Sequence, residues 1–462
     1  MTGPRFTAEE LLAATGGRWL DPPPAGVAGL STDTRTLAAG ALFVALHGER
    51  FDASTFLPAA ATAGAAAAVV ASEVTAPAGL PRLLVADTLA ALGAVARFHR
   101  RRFTLPVVGV TGSNGKTTTR EMIAAILAQR GPVLKTEGNL NNEVGLPLTL
   151  LGLDAGHQAA VVEMGMNHRG EIARLAAIAA PQVGVVTNAA AAHLEGLGTV
   201  DDVADAKAEL YAGLPPGGIA VVNADDARML ARARASGRRM LTFAAGRQRR
   251  GDVVVLEVIS QAAAGLRFLL GIGNRELTVT LALVGAHNAQ NAAAAACAAI
   301  ALGCTDQEII RGLAAVRPVG RRLRLERLPR GLLLVDDCYN ANPLSMEAAL
   351  RTLSELARAE GGRALAVLGD MLELGPGEAA LHRGVGAAVA GLPVTRLYGF
   401  GPRSRETVAG AVAAGLAPER TFQTEDLAAL AEAVRAAAGP GDVLLVKGSR
   451  GMKLERLVEA LH

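Results

Sequence analysis

Between Val107 and Thr118 the chain reads Val-Val-Gly-Val-Thr-Gly-Ser-Asn-Gly-Lys-Thr-Thr, and this stretch constrains the fold more than any other. A run rich in β-branched residues predicts a strand over Val107–Thr111, and the segment from Thr118 to Gln129 predicts a helix. Between them, Gly112 and Gly115 let the backbone bend so that the successive N–H groups of Gly112, Ser113, Asn114 and Gly115 face an anion. The helix start, with Thr118 in its first turn, adds the positive end of its dipole. Lys116 supplies a point charge for outer phosphates, and the Thr117 hydroxyl suits a Mg²⁺ ion. A strand, a phosphate-cradling turn and a helix in succession predict a parallel α/β sheet carrying an ATP site. Val110 stands where the common P-loop has its first glycine, so this is a variant loop of the form Thr-Gly-x-Asn-Gly-Lys-Thr.

At 462 residues the chain exceeds what one core holds, so several domains are expected. Aromatic residues make up only 3% of it, so the cores must be aliphatic. The net charge of +3 comes from intermixed acids and bases, with no basic stripe or aromatic platform for nucleic acid. The Arg100–Arg102 run reads as a solvated face. Three cysteines without metal-ligand spacing suit a reducing compartment. The chain begins without a basic-then-apolar leader, and its alanine-rich stretches are too interrupted for a membrane span. A soluble, cytoplasmic, monomeric protein is expected.

Three segments follow from the element rhythm. Residues 1–104 alternate short apolar runs with helical stretches: strands at Ala41–Leu46 and Ala66–Val70, and a helix at Leu89–Arg100. In 105–318, strand candidates Val107–Thr111, Ala159–Glu163, Val183–Asn188 and Ile219–Asn223 alternate with helix-length segments, which predicts a doubly wound parallel sheet. Closely spaced strands between Asp252 and Val284 predict a small antiparallel appendage. In 319–462, strands Leu332–Asp336, Ala364–Leu368, Thr395–Tyr398 and Val443–Val446 predict a second α/β unit.

Chemistry-bearing residues gather at predicted strand ends, where α/β sheets hold ligands. Glu163 is placed either as a Mg²⁺ ligand or as a strand-end acid. His193, just past the third strand, is a metal ligand, an acid–base group or a loop residue. Lys207 reads by pattern as an exposed helix lysine, although a buried lysine becomes a neutral nucleophile. The block Thr136–Pro147, with Asn139 and Asn142, is either a shaped polar loop or an asparagine-rich turn. Asn288 opens an alanine-rich helix, either facing a purine edge or capping the helix. Asp336–Pro343, Gly369–Gly375 and Val446–Arg450 form three further strand-end rims.

Taken in order, these motifs resemble the Mur ligase family over nearly the whole chain. The resemblance implies three domains: a small uridine-nucleotide domain (1–104), a central P-loop ATPase domain (105–318) and a Rossmann-like domain (319–462) that binds the incoming amine and closes on ATP. It implies that Ser31, Thr32, Asp33, Arg35, Arg50 and Asp52, with Asn139, Asn142 and Lys447, bind substrate. Gly112–Thr118, Asn288, Arg322, Asp337 and Asn340 would face ATP, although Pro318-Val-Gly-Arg-Arg-Leu323 leaves open whether Arg321 or Arg322 serves. Thr117, Glu163, His193 and Lys207, the last carbamylated, would face Mg²⁺. Lys116, Lys207 and His193 are the implied catalytic residues. Within the family, Gly369–Gly375 and Lys447–Arg450 resemble the branch that joins the dipeptide D-alanyl-D-alanine to UDP-N-acetylmuramoyl-tripeptide, and the Asp-Asn-Pro-Arg signature expected of the diaminopimelate-adding branch is not found. A single-amino-acid sibling, or a scaffold ATPase that ligates nothing, is the alternative.

Overall fold

Short runs of consecutive apolar residues become strands covered on both faces, as parallel sheets require. The computed structural model describes residues 3–48, 51–329 and 331–462, and divides into two compact units. The first comprises Met1–Thr111, Arg130–Gly184 and Glu209–Ile219; the second comprises Gly112–Gln129, Val185–Ala208 and Ala220–His462.

In the first unit a five-stranded sheet runs in the order Arg18–Trp19, Arg82–Leu84, Ala67–Val70, Leu42–Val44, Leu30–Ser31. Its last four strands are parallel. The pleat sends Leu42, Val44, Ala67 and Val69 into one core, and Phe43, Ala68 and Val70 into another on the opposite face. A parallel trio, Val133–Lys135, Ala159–Glu163 and Val107–Thr111, carries Glu163 at a strand end. Arg100 corrects the expectation of a solvated basic face. It is buried, and its guanidinium donates to the carbonyls of Ala179 (3.2 Å), Phe103 (2.7 Å) and Leu105 (3.2 Å). Its neighbour Arg102 stacks over the rings of Phe6 and Phe98.

In the second unit a six-stranded sheet runs Arg324–Arg327, Leu333–Asp337, Val443–Lys447, Ala364–Gly369, Val394–Phe400, Thr421–Thr424. All but the antiparallel first strand are parallel. Alternation is again strict: Leu333, Val335, Ala366 and Leu445 enter one core, and Leu334, Val367 and Leu444 the other. The strands expected as a separate antiparallel appendage, Val253–Ala262, Gly265–Ile272 and Arg275–Leu281, are antiparallel but continue a sheet, because Val253–Ala262 pairs in parallel with Arg239–Ala245. The phosphate-loop helix Lys116–Leu127 packs closely on the helix Asp306–Ala315, where a side chain at Gly312 would collide with the Ile126 backbone. Among the described residues, no helix is long and apolar enough to cross a membrane.

Candidate active site

The phosphate loop adopts the conformation its glycines permit. Gly112 (φ 149°) and Gly115 (φ 80°) lie where side-chain-bearing residues are strained. A Cβ on Gly112 would strike Thr187, and one on Gly115 would strike the Asn291 amide. The loop is pinned from below. Ser113 and Asn114 N–H donate to the Asn188 carbonyl (2.9 Å) and to its side-chain oxygen (3.0 Å). Ser113 Oγ donates to the Ala190 carbonyl at 3.1 Å, and Thr187 Oγ1 to the Asn114 carbonyl at 2.5 Å. Here the structure corrects the sequence reading: two N–H groups expected to face an anion are engaged by Asn188. Lys116 Nζ folds back onto the Gly112 carbonyl at 2.8 Å.

A pocket in the second unit is lined by Thr117, Thr118, Glu121, Asn288, Pro318 and Arg322 among others. Arg322 rather than Arg321 reaches it. The Arg322 guanidinium lies over the Tyr339 ring at 3.8 Å, whereas Arg321 is held by Asp336 at 2.9 Å and Glu459 at 3.4 Å. Asn288 is not the helix cap, which is Ala286 and makes no side-chain bond. Instead Asn288 is buried, donating to the Val284 carbonyl (2.6 Å) and accepting from Asn291 (2.9 Å). One residue earlier, His287 is held neutral: enclosure and the Lys447 charge push its imidazole down to about 4.

Behind this rim Lys447 is buried and bonds the Asp337 carboxylate (2.7 Å) and the Asn340 carbonyl (2.9 Å). Asp337 also accepts from Leu323 N–H at 3.2 Å. Burial pushes the Asp337 carboxyl up, and Lys447 opposes that shift. Lys447, expected to bind substrate, therefore ties together two of the residues expected to face ATP.

Two lysines meet near the loop. Lys207 is 2% exposed. Burial first, and the Lys116 charge second, hold it well below the ordinary lysine range. The exposed-lysine reading is thereby overturned, because its helix face is enclosed. His193 sits in left-handed backbone (φ 57°), and its Nδ1 lies 2.9 Å from the Glu373 carboxylate. Glu373 is itself left-handed (φ 62°), in the rim Gly369–Gly375. That rim is anchored by buried His382, whose Nε2 accepts Met371 N–H at 3.0 Å.

In the first unit, Glu163 is 3% exposed and accepts from Asn141 Nδ2 at 2.8 Å, while its N–H donates to Thr136 Oγ1 at 2.9 Å. Asn142 Oδ1 accepts Val144 N–H (3.2 Å) and Gly145 N–H (2.8 Å) in the turn before a short helix, and Asn139 is exposed. Ser31 Oγ accepts Asp33 N–H at 3.1 Å, and Arg35 grips Asp33 through Nε (2.9 Å) and Nη2 (2.6 Å). Those bonds hold the Asp33 carboxyl down at about 2. Thr32 is half-buried beside them, and Asp52 Oδ1 accepts Ser54 N–H at 2.8 Å. Arg50 lies outside the described residues.

Sequence reasoning placed Glu373, Tyr339, His287 and Asn342 inside its motifs but singled out none of them. Asn342 carried a further local sign, an Asn-Pro step opening a helix. No cluster of three His, Cys, Asp or Glu side chains suited to a metal occurs among the described residues.

Comparison with known proteins agrees along the chain. Family models described as "Mur ligase family, catalytic domain", "Mur ligase middle domain" and "Mur ligase, glutamate ligase domain" match residues 26–100, 110–299 and 321–450. The UDP-N-acetylmuramoyl-tripeptide–D-alanyl-D-alanine ligase of Escherichia coli is 40% identical, covering 94% of this chain and 93% of its own length. The Bacillus subtilis ligase of the same name is 37% identical, with the same coverage. Among solved structures, MurF from Acinetobacter baumannii superposes with a TM-score of 0.91 at 34% identity, covering 100% of this chain and 99% of its own. MurF from Thermotoga maritima in complex with ADP superposes at 0.83 with 30% identity, covering 94% and 96%. On this agreement the chain belongs to the Mur ligase family.

Proposed function

We propose that this chain is an ATP-dependent amide ligase of peptidoglycan precursor synthesis. It joins D-alanyl-D-alanine to UDP-N-acetylmuramoyl-tripeptide, giving the UDP-linked pentapeptide, ADP and phosphate. The observation that carries the reading is the near full-length likeness to ligases of that activity, 40% identical over 94% of the chain.

A carboxylate is a poor acyl donor, so the tripeptide's terminal carboxylate must first be activated. Its attack on the γ-phosphorus of ATP forms an acyl phosphate, the dipeptide amine then adds to the acyl carbon, and phosphate leaves. In this reading Lys116 leaves the Gly112 carbonyl and turns its charge to the outer phosphates. Gly112, Ser113 and Asn114 shape the loop, and Gly115, Thr117 and Thr118 line the phosphate side. Arg322 on its Tyr339 shelf, with Asn288, flanks the nucleotide, while Lys447 holds Asp337 and Asn340 in place. Ser31, Thr32, Asp33, Arg35 and Asp52 suit the uridine nucleotide.

Mg²⁺ takes oxygen ligands and keeps several waters, so it does not need a full protein cage. Thr117 offers a hydroxyl and His193 an imidazole. Lys207, whose amine burial holds well below the ordinary lysine range, fits capture of CO₂ as a carbamate, which would turn a cation into an anionic oxygen ligand. Glu163 is assigned to the metal from its strand-end place. When bound, Mg²⁺ would neutralise charge on the phosphate oxygens.

Phosphate release is the test, measured with UDP-N-acetylmuramoyl-tripeptide, with and without D-alanyl-D-alanine, while product mass is followed. Release requiring both substrates and yielding pentapeptide supports the ligase. Release independent of substrates points to a bare ATPase, and release driven by single amino acids to a sibling ligase.

A further inference from the structure

Asn342 ends the rim that follows strand Leu333–Asp337 and caps the helix Pro343–Glu360. Its side-chain oxygen accepts Ser345 N–H at 2.9 Å, and its own N–H donates to Ser345 Oγ at 3.0 Å. This reciprocal cap fixes which end of the Asn342 amide faces the helix. Nδ2 is thereby turned outward, where it donates to Asn114 Oδ1 at 2.8 Å. Asn114 belongs to the phosphate loop, 228 residues away in the chain.

The consequence runs through the second amide. With its oxygen held by Asn342, the Asn114 side chain has one orientation open to it, because a flip would set two NH₂ groups against each other. Its own Nδ2 is then enclosed and meets no hydrogen-bond acceptor. The rest of Asn114 is engaged: its N–H by Asn188 Oδ1 (3.0 Å), its carbonyl by Thr187 Oγ1 (2.5 Å) and Asn188 Nδ2 (3.3 Å). An unmet buried donor is costly, and one retained in a native fold calls for a cause such as a catalytic role or a water or ion that completes it. Here it sits within a loop built for phosphates.

We propose that Asn342 is a positioning residue for phosphoryl transfer. Held by its own helix cap, it turns Asn114 so that Nδ2 donates to a phosphate oxygen of the bound nucleotide. The proposal rests on the ATP-dependent reading above and deepens it, because the rim of the last sheet then sets the phosphate loop's donor geometry.

Two variants separate this role from capping. Asn342→Ser keeps a good cap but removes the amide that reaches Asn114. Asn342→Asp also keeps the cap, but offers only acceptors and draws Asn114 Nδ2 toward itself. Both should melt within roughly 2 °C of the parent, an interval that corresponds to a small stability change in a chain of this size. Calorimetric titration with ADP and with β,γ-imido-ATP then reads the effect. The expectation is about ten-fold weaker binding in Asn342→Ser, Asn342→Asp and Asn114→Ala, as for loss of one hydrogen bond to a charged group. The double variant Asn114→Ala/Asn342→Ser should bind no more weakly than Asn114→Ala alone. Equal losses for both nucleotides put the acceptor on the β-phosphate, and a loss confined to the imido analogue puts it on the γ-phosphate. Parental affinity in both Asn342 variants, or additive losses in the double variant, would overturn the proposal. If the parent binds nucleotide yet makes no pentapeptide, the ligase reading fails while these titrations still decide the role of Asn342.

Discussion

Two carboxylate–cation pairs, one in each unit, show how the same chemistry serves different ends. Asp33 and Arg35 form a two-pronged pair in a turn, with the Arg35 side chain 86% exposed. Asp337 and Lys447 form a pair in which the lysine side chain is 3% exposed. Water screens the first, so it adds little to stability and is ready to exchange partners with a ligand. The second has lost its water, and each charge depends on the other. The exposed pair therefore suits binding, and the buried pair holds the rim Asp336–Pro343 in shape.

The largest effect should come from the phosphate loop. Lys116→Ala should lower kcat for ligation by about 10²–10³-fold, the range seen when one preorganised donor is removed; an unchanged steady-state rate would remove Lys116 from the chemistry. Next, Lys447→Met should destabilise the chain by about 3–5 kcal/mol, because it strands a buried carboxylate. Lys447→Met/Asp337→Leu should recover much of that loss in denaturant melts. If Lys447→Met melts like the parent, the pair does not lock the rim.

Titration sharpens the contrast, because the two acids shift in opposite directions. Asp33 is depressed to about 2 by Arg35, so its contribution is complete above the unfolded value of about 3.9 and is lost as pH falls through about 2. Asp337 is raised by burial, so the native state holds its proton more tightly, and its contribution declines as pH rises from about 3.9 through the folded value. Carboxyl-carbon NMR should show Asp33 titrating below a free aspartate and Asp337 above it; the same direction for both would break the comparison. The smallest stability effect belongs to Arg35→Ala. Its denaturation midpoint should match the parent, while KM for the UDP-linked substrate rises about ten-fold, a salt-sensitive change.

What could be read from the sequence follows the same division between local and distant. The strands Ala67–Val70 and Val443–Lys447 are continuous apolar runs, and the phosphate loop is a contiguous motif, so each was legible. Arg239–Ala245 and Thr421–Thr424 went unrecognised because they are only partly buried and carry mixed residues. The burial of Lys207 and Arg100 depends on what the fold lays over them, which no local pattern encodes. Lys447 meets Asp337 across 110 residues, so neither neighbourhood announces the partner. Asn188, which engages two loop N–H groups, was hidden in the same way at 74 residues from Asn114.

In the proposed ligase a substrate carboxylate is activated by phosphoryl transfer from ATP. The direct measurement uses UDP-N-acetylmuramoyl-tripeptide labelled with ¹⁸O in its terminal carboxylate, with ATP and D-alanyl-D-alanine, and reads the released phosphate by mass. One ¹⁸O atom should pass into phosphate for each pentapeptide formed. Unlabelled phosphate released alongside pentapeptide would contradict the acyl-phosphate route.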